Sequence, residues 1–316
     1  MQGVKLEAPT AVPRPLAAMD SVVALIQQAV HAEDVVQICR EAAREVLAIY
    51  NADPASWEVQ TKSDDSPLTK ADQVANAVIV KGLKRIAPHI PIVSEENKAI
   101  PYAVRKHYAY CWCVDPIDGT KEFIKRNGQF TVNVALLRGA APVLGVVHQP
   151  VGDVTYWGVL GKGAYERTGE GPDAPIKCAS FSMEDEGLSL VGSASHSSPQ
   201  TAEFIAKFKN PTKTSMGSSL KFMLVATGKA HCYPRLAPTC EWDTAASQII
   251  VEEAGGVVIQ AGKCSSKGEI LEDMETVLKT ETPVVYNKED PLNPFFVAYG
   301  NRVAKAAGEA NGTAAA

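Results

Sequence analysis

Residues 19–50 carry the longest helical pattern in the chain. Val22, Val23, Leu25, Ile26 and Val30, then Val35, Ile38, Cys39, Ala42, Val46, Leu47 and Ile49, recur at near-helical spacing, which is how one apolar helix face reads in a sequence. Residues 57–62 predict a strand, 63–67 a turn-rich loop, 72–86 a second helix and 91–93 a short strand that ends at Ser94-Glu95-Glu96. The run 108–114 is apolar and strand-like. The period then shortens to alternation: strands are expected over 130–136, 143–148, 155–159 and 164–167, with Arg138-Gly139 and Gly161-Lys162-Gly163 turning between them. Close strands joined by short turns predict an antiparallel meander. Paired helices on a mostly antiparallel sheet are therefore expected in the first half.

The second half alternates differently. Strands are expected over 188–191, 229–233, 257–259 and 284–286, the last of the chain. Helices are expected over 219–226 and 243–254, the latter ended by Gly255-Gly256. The stretch 168–173 is rich in glycine, proline and charge, a composition suited to a domain boundary. Two domains are expected, residues 1–175 and 176–316, the first α+β and the second α/β.

Composition narrows the class. With 46% hydrophobic and 21% charged residues in 316, the chain has ample material for a packed core. A net charge of -5 without a long basic run argues against gripping a nucleic acid backbone. It leaves room for a small anionic ligand, because a local cluster of cations can reverse the sign of one pocket. Seven cysteines at irregular spacing complete no metal motif, and Cys111 and Cys113, two apart in an apolar strand, read as core. No apolar run reaches the roughly 18 residues of a membrane span. Residues 1–18 lack a signal-peptide core and are poor in arginine, so a cytoplasmic location is expected; an organellar form would need a longer targeting stretch. Oligomeric state is not legible.

The chemistry concentrates at Asp115-Pro116-Ile117-Asp118-Gly119-Thr120, directly after the apolar strand. Two carboxylates three residues apart around a rigid proline can converge on one hard cation, which prefers oxygen ligands. Gly119 allows close backbone approach to a phosphate, and a helix start after it would direct amides at an anion. Glu95 ends another strand and Asp243 begins another helix. The plain readings are a surface carboxylate for Glu95 and a helix cap for Asp243. Four acids gathered at element ends would repel one another, and cations would relieve that repulsion.

The order Ser94-Glu95-Glu96, Asp115-Pro116-Ile117-Asp118-Gly119-Thr120, Glu241-Trp242-Asp243-Thr244-Ala245-Ala246 and Glu253-Ala254-Gly255-Gly256 resembles the inositol monophosphatase superfamily, over roughly residues 22–296. The resemblance implies a five-layer αβαβα sandwich and hydrolysis of a phosphate monoester using roughly two or three Mg²⁺ ions per site. It makes Glu95, Asp115, the Ile117 carbonyl, Asp118 and Asp243 the metal ligands. It assigns Glu95 and Thr120 to the attacking water and places Asp72 near a further, weaker metal. Most of the metal ligands then fall in the first domain, and Asp243 with the substrate-recognition elements in the second. Lithium inhibition is also implied.

Within that superfamily, Lys121-Glu122-Phe123-Ile124, Gly145-Val146-Val147-His148-Gln149-Pro150, Gly217-Ser218-Ser219-Leu220-Lys221-Phe222 and the stretch around Tyr233 and Arg235 resemble the CysQ-type branch, the 3'(2'),5'-bisphosphate nucleotidases. The substrate so implied is adenosine 3',5'-bisphosphate, cleaved to AMP and phosphate, with PAPS and inositol 1,4-bisphosphate as further candidates. Gly119, Thr120, Ser218, Ser219, Lys221, Tyr233, Arg235 and Asp243 would contact it, Arg235 offering a planar donor fork to the second phosphate. Taken singly, Ser218 and Ser219 read as a helix N-cap, and Lys221 and Arg235 as solvated cations. An inositol or sugar-phosphate phosphatase and a non-catalytic phosphate-binding protein remain as alternatives. A zinc hydrolase lacks clustered histidines, and a serine hydrolase lacks its Gly-x-Ser-x-Gly elbow.

Overall fold

The structure is a computed structural model that describes residues 30–62, 67–193, 199–263, 265, 269 and 271–304. The first part of the helix expected over 19–50, and residues 63–66 of the expected loop, lie outside the described residues. In chain order the first half comprises α1 (Ala32–Tyr50), β1 (Gln60–Thr61), β2 (Pro67–Leu68), α2 (Lys70–Ile86), β3 (Ile92–Ser94), α3 (Tyr102–Arg105), β4 (Tyr110–Asp118), α4 (Thr120–Ile124), β5 (Thr131–Arg138), β6 (Ala141–Gln149), β7 (Val154–Val159), β8 (Gly163–Thr168) and β9 (Ala174–Ile176). The second comprises β10 (Ser180–Phe181), β11 (Ser189–Ser193), α5 (Pro199–Ile205), β12 (Thr212–Met216), α6 (Leu220–Ala226), β13 (Cys232–Arg235), α7 (Ala245–Glu253), β14 (Val257–Gly262), α8 (Met274–Thr280), β15 (Phe295–Tyr299) and β16 (Asn301–Arg302).

Strands β3 to β9 form one seven-stranded sheet in chain order. Every neighbour pair is antiparallel except β3 with β4. The antiparallel meander expected from sequence is therefore present, and the division expected at 175/176 falls within β9, its last strand. The second sheet has five strands in the order β12-β11-β13-β15-β14.

Burial on alternating faces explains the layering. Trp112 and Val114 of β4 point into a core shared with Val35, Ile38, Ala42 and Val46 of α1 and Ala75, Ile79 and Leu83 of α2. Cys111 and Cys113 point the other way, into a core with Phe222 and Met223 of α6, Ile250 of α7 and Phe296 of β15, so these thiols are core residues as expected. A third core lies on the far face of the second sheet, where Leu190, Val297 and Tyr299 meet Phe204 and Ile205 of α5. Helix, sheet, helix, sheet and helix layers thus stack as an αβαβα sandwich. The middle layer sits unusually close to the first sheet: a Cβ at Gly145 would lie 2.3 Å from the Ala246 carbonyl oxygen, so only glycine admits α7 there.

Three expected elements differ. Residues 57–62 begin at the last residue of a short 3-10 turn, Pro54–Trp57, and pass through Glu58 at φ +52° before the two-residue β1. Asp243 precedes the helix rather than opening it, lying in a 3-10 turn, Glu241–Asp243, ahead of α7. The last strand of the second sheet is not 284–286 but β15; Val284 and Tyr286 are buried outside any strand. Tyr286 is held there by its hydroxyl, which donates to Gln248 Oε1 at 2.7 Å.

Candidate active site

The carboxylates converge where the first sheet meets the middle helices. Asp115 and Asp118 flank an irregularity in the pairing of β4 with β5. This break in register lets both side chains turn to one side. Asp115 is almost fully buried, and its Oδ1 accepts the Ile117 amide at 3.0 Å. Asp243 arrives from the 3-10 turn of the second half, where its Oδ2 accepts the Cys240 amide at 2.8 Å. One carboxylate oxygen from each of Asp115, Asp118 and Asp243 lies within 4.8 Å of the others.

Glu95 stands at the end of β3, one strand over from Asp115. Lys62 donates to its Oε1 at 2.7 Å and also reaches Glu96. Thr120 Oγ1 lies 3.2 Å from Asp72 Oδ1 and 3.3 Å from the Ile117 carbonyl oxygen. The other Asp72 oxygen accepts both the amide and the hydroxyl of Thr69, at 2.7 and 2.6 Å, closing a capping box at the start of α2. Asp72 therefore fixes a helix end and the Thr120 hydroxyl together.

The electrostatics follow from crowding. Burial, then the charges of Glu95, Asp118, Asp243 and Asp72, push the Asp115 carboxyl well above the usual carboxylate range. Burial, then Asp118 and Glu95, push Asp243 up to about 7. Burial also raises Glu95 and Asp72, against their hydrogen bonds. Acids held this close disfavour one another's charge, and their oxygen-only donor set is what hard divalent cations take. The residues present fit a metal centre.

A pocket opens beside this cluster, lined by Asp118, Ser218, Ser219, Lys221, Phe222, Tyr233, Arg235, Thr239, Asp243, Thr244 and Phe296. Gly119 closes against it from the first half, at φ +95° and with Ser218 Cβ 3.0 Å from where its own Cβ would stand. Lys221 is 8% exposed, donates to the Ser218 carbonyl at 2.6 Å, and lies 5.6 Å from the Tyr233 ring centre. Burial lowers its ammonium to about 8. Arg235 binds the Pro238 carbonyl oxygen at 3.0 Å through Nη2, while its buried Nε has no hydrogen-bond partner. Lys221 and Arg235 are thus pocket walls, where sequence alone also allowed solvated cations.

Ser219 occupies the N-cap position of α6 but makes no cap hydrogen bond. Its hydroxyl contacts Asp118 Oδ2 at 2.7 Å and the Asp243 carbonyl oxygen at 3.0 Å. Asn133 of β5 donates to Ser219 Oγ at 2.9 Å and lies 3.4 Å from the same Asp118 oxygen. Sequence reading passed over Asn133 and Lys62. The signal for Asn133 was present: a lone carboxamide between Val132 and Val134 in an apolar strand needs buried partners. Lys62 gave no comparable signal, because its partners lie 33 and 34 residues away.

The model of the inositol monophosphatase family matches residues 27–294. The chain is 44% identical over 226 residues to the 3'(2'),5'-bisphosphate nucleotidase CysQ of Salmonella typhimurium, covering 72% of this chain and 89% of that protein. It is 41% identical over the same length to its counterpart in Escherichia coli K12. The crystal structure of CysQ from Bacteroides thetaiotaomicron, a bacterial member of the same family, is 40% identical and superposes with a TM-score of 0.71, covering 86% of this chain and 97% of that one.

Proposed function

The chain belongs to the inositol monophosphatase family, and on that premise we propose that it is a magnesium-dependent 3'(2'),5'-bisphosphate nucleotidase. It hydrolyses the 3'-phosphate of adenosine 3',5'-bisphosphate to give AMP and phosphate. The observation that carries the choice of substrate is a pocket with an acidic end and a basic wall, Asp118 and Asp243 facing Lys221 and Arg235. An inositol monophosphate offers one phosphate and has no use for the second cationic site. A bisphosphorylated nucleotide offers two.

Asp115, Asp118, Asp243 and Glu95, with the Ile117 carbonyl, would hold Mg²⁺. The chemistry a bound cation would supply there is relief of the repulsion among these acids, screening of the phosphate oxygens and a lowered pKa for water. Glu95 accepts a proton from the attacking water. The Thr120 hydroxyl donates a hydrogen bond to Asp72 and keeps its proton, which leaves a lone pair on Thr120 Oγ1 to accept from and orient the same water. No side chain becomes phosphorylated. Arg235 receives the 5'-phosphate with its unpaired Nε, and Lys221 adds a charge-assisted bond. Gly119 and Thr120 bound the phosphate being cleaved, with Ser218 and Tyr233 shaping the pocket around the nucleotide. No helix of the described residues is long and apolar enough to cross a membrane. Cys39, Cys111, Cys113, Cys178 and Cys232 are buried thiols, and they suit the cytoplasm.

Turnover of adenosine 3',5'-bisphosphate, inositol 1-phosphate and fructose 1,6-bisphosphate, each with and without Mg²⁺, tests this reading. The bisphosphorylated nucleotide should be preferred by about tenfold or more, since a charged hydrogen bond contributes about 1.5–3 kcal/mol. A tenfold preference for either sugar substrate overturns the assignment. Absence of Mg²⁺-stimulated phosphate release on all three would favour a non-catalytic binder.

A further inference from the structure

The serine at the N-cap of α6 does not cap it, and the diversion of its hydroxyl points to a buried device. Four side chains from the two halves form one hydrogen-bonded line that ends on a fifth, Asp118. Ser218 Oγ lies 3.1 Å from Thr131 Oγ1. Thr131 Oγ1 donates to Asn133 Oδ1 at 2.9 Å, and Asn133 Nδ2 donates to Ser219 Oγ at 2.9 Å. Ser219 Oγ reaches Asp118 Oδ2 at 2.7 Å. Thr131, Asn133 and Ser219 are all 1% exposed or less, and Ser218 is 7% exposed.

The direction of the line is fixed by chemistry. An ionised Asp118 can only accept, so the Asn133 amide nitrogen must face it and the amide oxygen must face Thr131. Ser219 receives the amide proton and has one proton to give. The carboxylate is the stronger acceptor and is nearer than the Asp243 carbonyl oxygen. Each donor therefore points toward Asp118. In a dry interior such a chain polarises along its length.

We propose that Thr131 and Asn133, with Ser219, are positioning residues that orient Asp118 for metal binding. Thr131 and Asn133 lie outside the pocket lining; Ser219 lines it, but its hydroxyl is engaged by Asp118 and the Asp243 carbonyl oxygen. This rests on the reading of Asp118 as a metal ligand. Partners of this kind beyond the ligands are ordinarily strong determinants of affinity. The device also ties the two halves of the site together, since β5 supplies Asn133 while the α6 N-terminus supplies Ser219.

Calorimetric titration of the metal-free full chain with Mn²⁺ reads this without catalysis. Asn133→Leu keeps the size of the side chain and removes its donor. Its Mn²⁺ dissociation constant should rise about 10–100-fold. Ser219→Ala should weaken binding in the same range, and Ser219→Thr, which keeps the hydroxyl, should restore most of it. Rescue by threonine separates positioning from loss of packing. Should Asn133→Leu fail to fold, the Ser219 pair carries the test. Wild-type Mn²⁺ affinity in folded Asn133→Leu or in Ser219→Ala overturns the proposal. Asp118→Ala is the control: if it binds Mn²⁺ as tightly as wild type, the metal-centre reading itself fails; if only Asp118→Ala weakens binding, the positioning role alone fails.

Discussion

At the acidic end of the pocket, Asp115 and Asp118 come from one strand end and share it with Ile117 and Thr120; at the basic wall, Lys221 and Arg235 come from α6 and β13 of the second half. The acidic end is buried and crowded with like charge, so the Asp115 and Asp243 carboxyls are pushed up toward protonation. The wall instead has a buried ammonium pulled down toward neutrality and a guanidinium with a free buried donor. Both ends carry the cost of desolvated charge, and a bisphosphate with its cations relieves both. The contrast separates roles: the acidic end should govern chemistry on every substrate, the wall only substrates with a second phosphate.

The largest effect should follow from removing the most crowded acid. Asp115→Ala should lower kcat about 10³-fold or more, the scale of several kcal/mol of lost metal-centred stabilisation. Its metal-free thermal midpoint should hold or rise, because the substitution deletes a buried carboxyl surrounded by like charge. Turnover assays with Mg²⁺ and thermal unfolding in chelator give the two numbers. Normal Mg²⁺-dependent turnover in this variant would break the division of roles at its root.

Next in size is the wall. Arg235→Ala should reduce kcat/KM for adenosine 3',5'-bisphosphate about 10–100-fold, the loss of charged hydrogen bonds. For adenosine 3'-phosphate, which lacks the second phosphate, the change should be much smaller. Equal losses on the two substrates would mean that Arg235 supports the site as a whole and reads no particular group.

The convergence at the acidic end was legible because it is local: six consecutive residues carry two carboxylates, a glycine and a threonine. The wall was legible only through resemblance, because Lys221 and Arg235 look like any surface cations until the fold buries them. The same limit explains the misplaced last strand. Val284 and Tyr286 are as buried as strand residues, but what buries Tyr286 is a hydroxyl bonded to Gln248 on α7. β15 is apolar at every position, Phe295–Tyr299, because the sheet is covered on both faces and β15 lies between β13 and β14. A strand covered on both sides loses its alternation. Asn133 shows the reverse: one polar residue in such a strand marks a buried partner, though sequence cannot say that the partner is Asp118.

The smallest and most selective effect lies in the titration of the wall. Burial brings Lys221 down to about 8, so raising pH through that value removes its charge from the free pocket and leaves only that of Arg235. Loss on the alkaline side is the expected sign, because the protonated form binds phosphate. For a single group at that pKa, kcat/KM for adenosine 3',5'-bisphosphate should fall about fivefold between pH 8 and pH 9. In the bound complex the phosphate holds the proton on Lys221, so kcat should show this limb weakly or at higher pH. Lys221→Arg, whose guanidinium stays charged throughout, should flatten the limb. Adenosine 3'-phosphate should lack the limb even with the native lysine. A limb of equal depth on both substrates, surviving in Lys221→Arg, would move the titrating group from the wall to the acidic end and erase the difference between them.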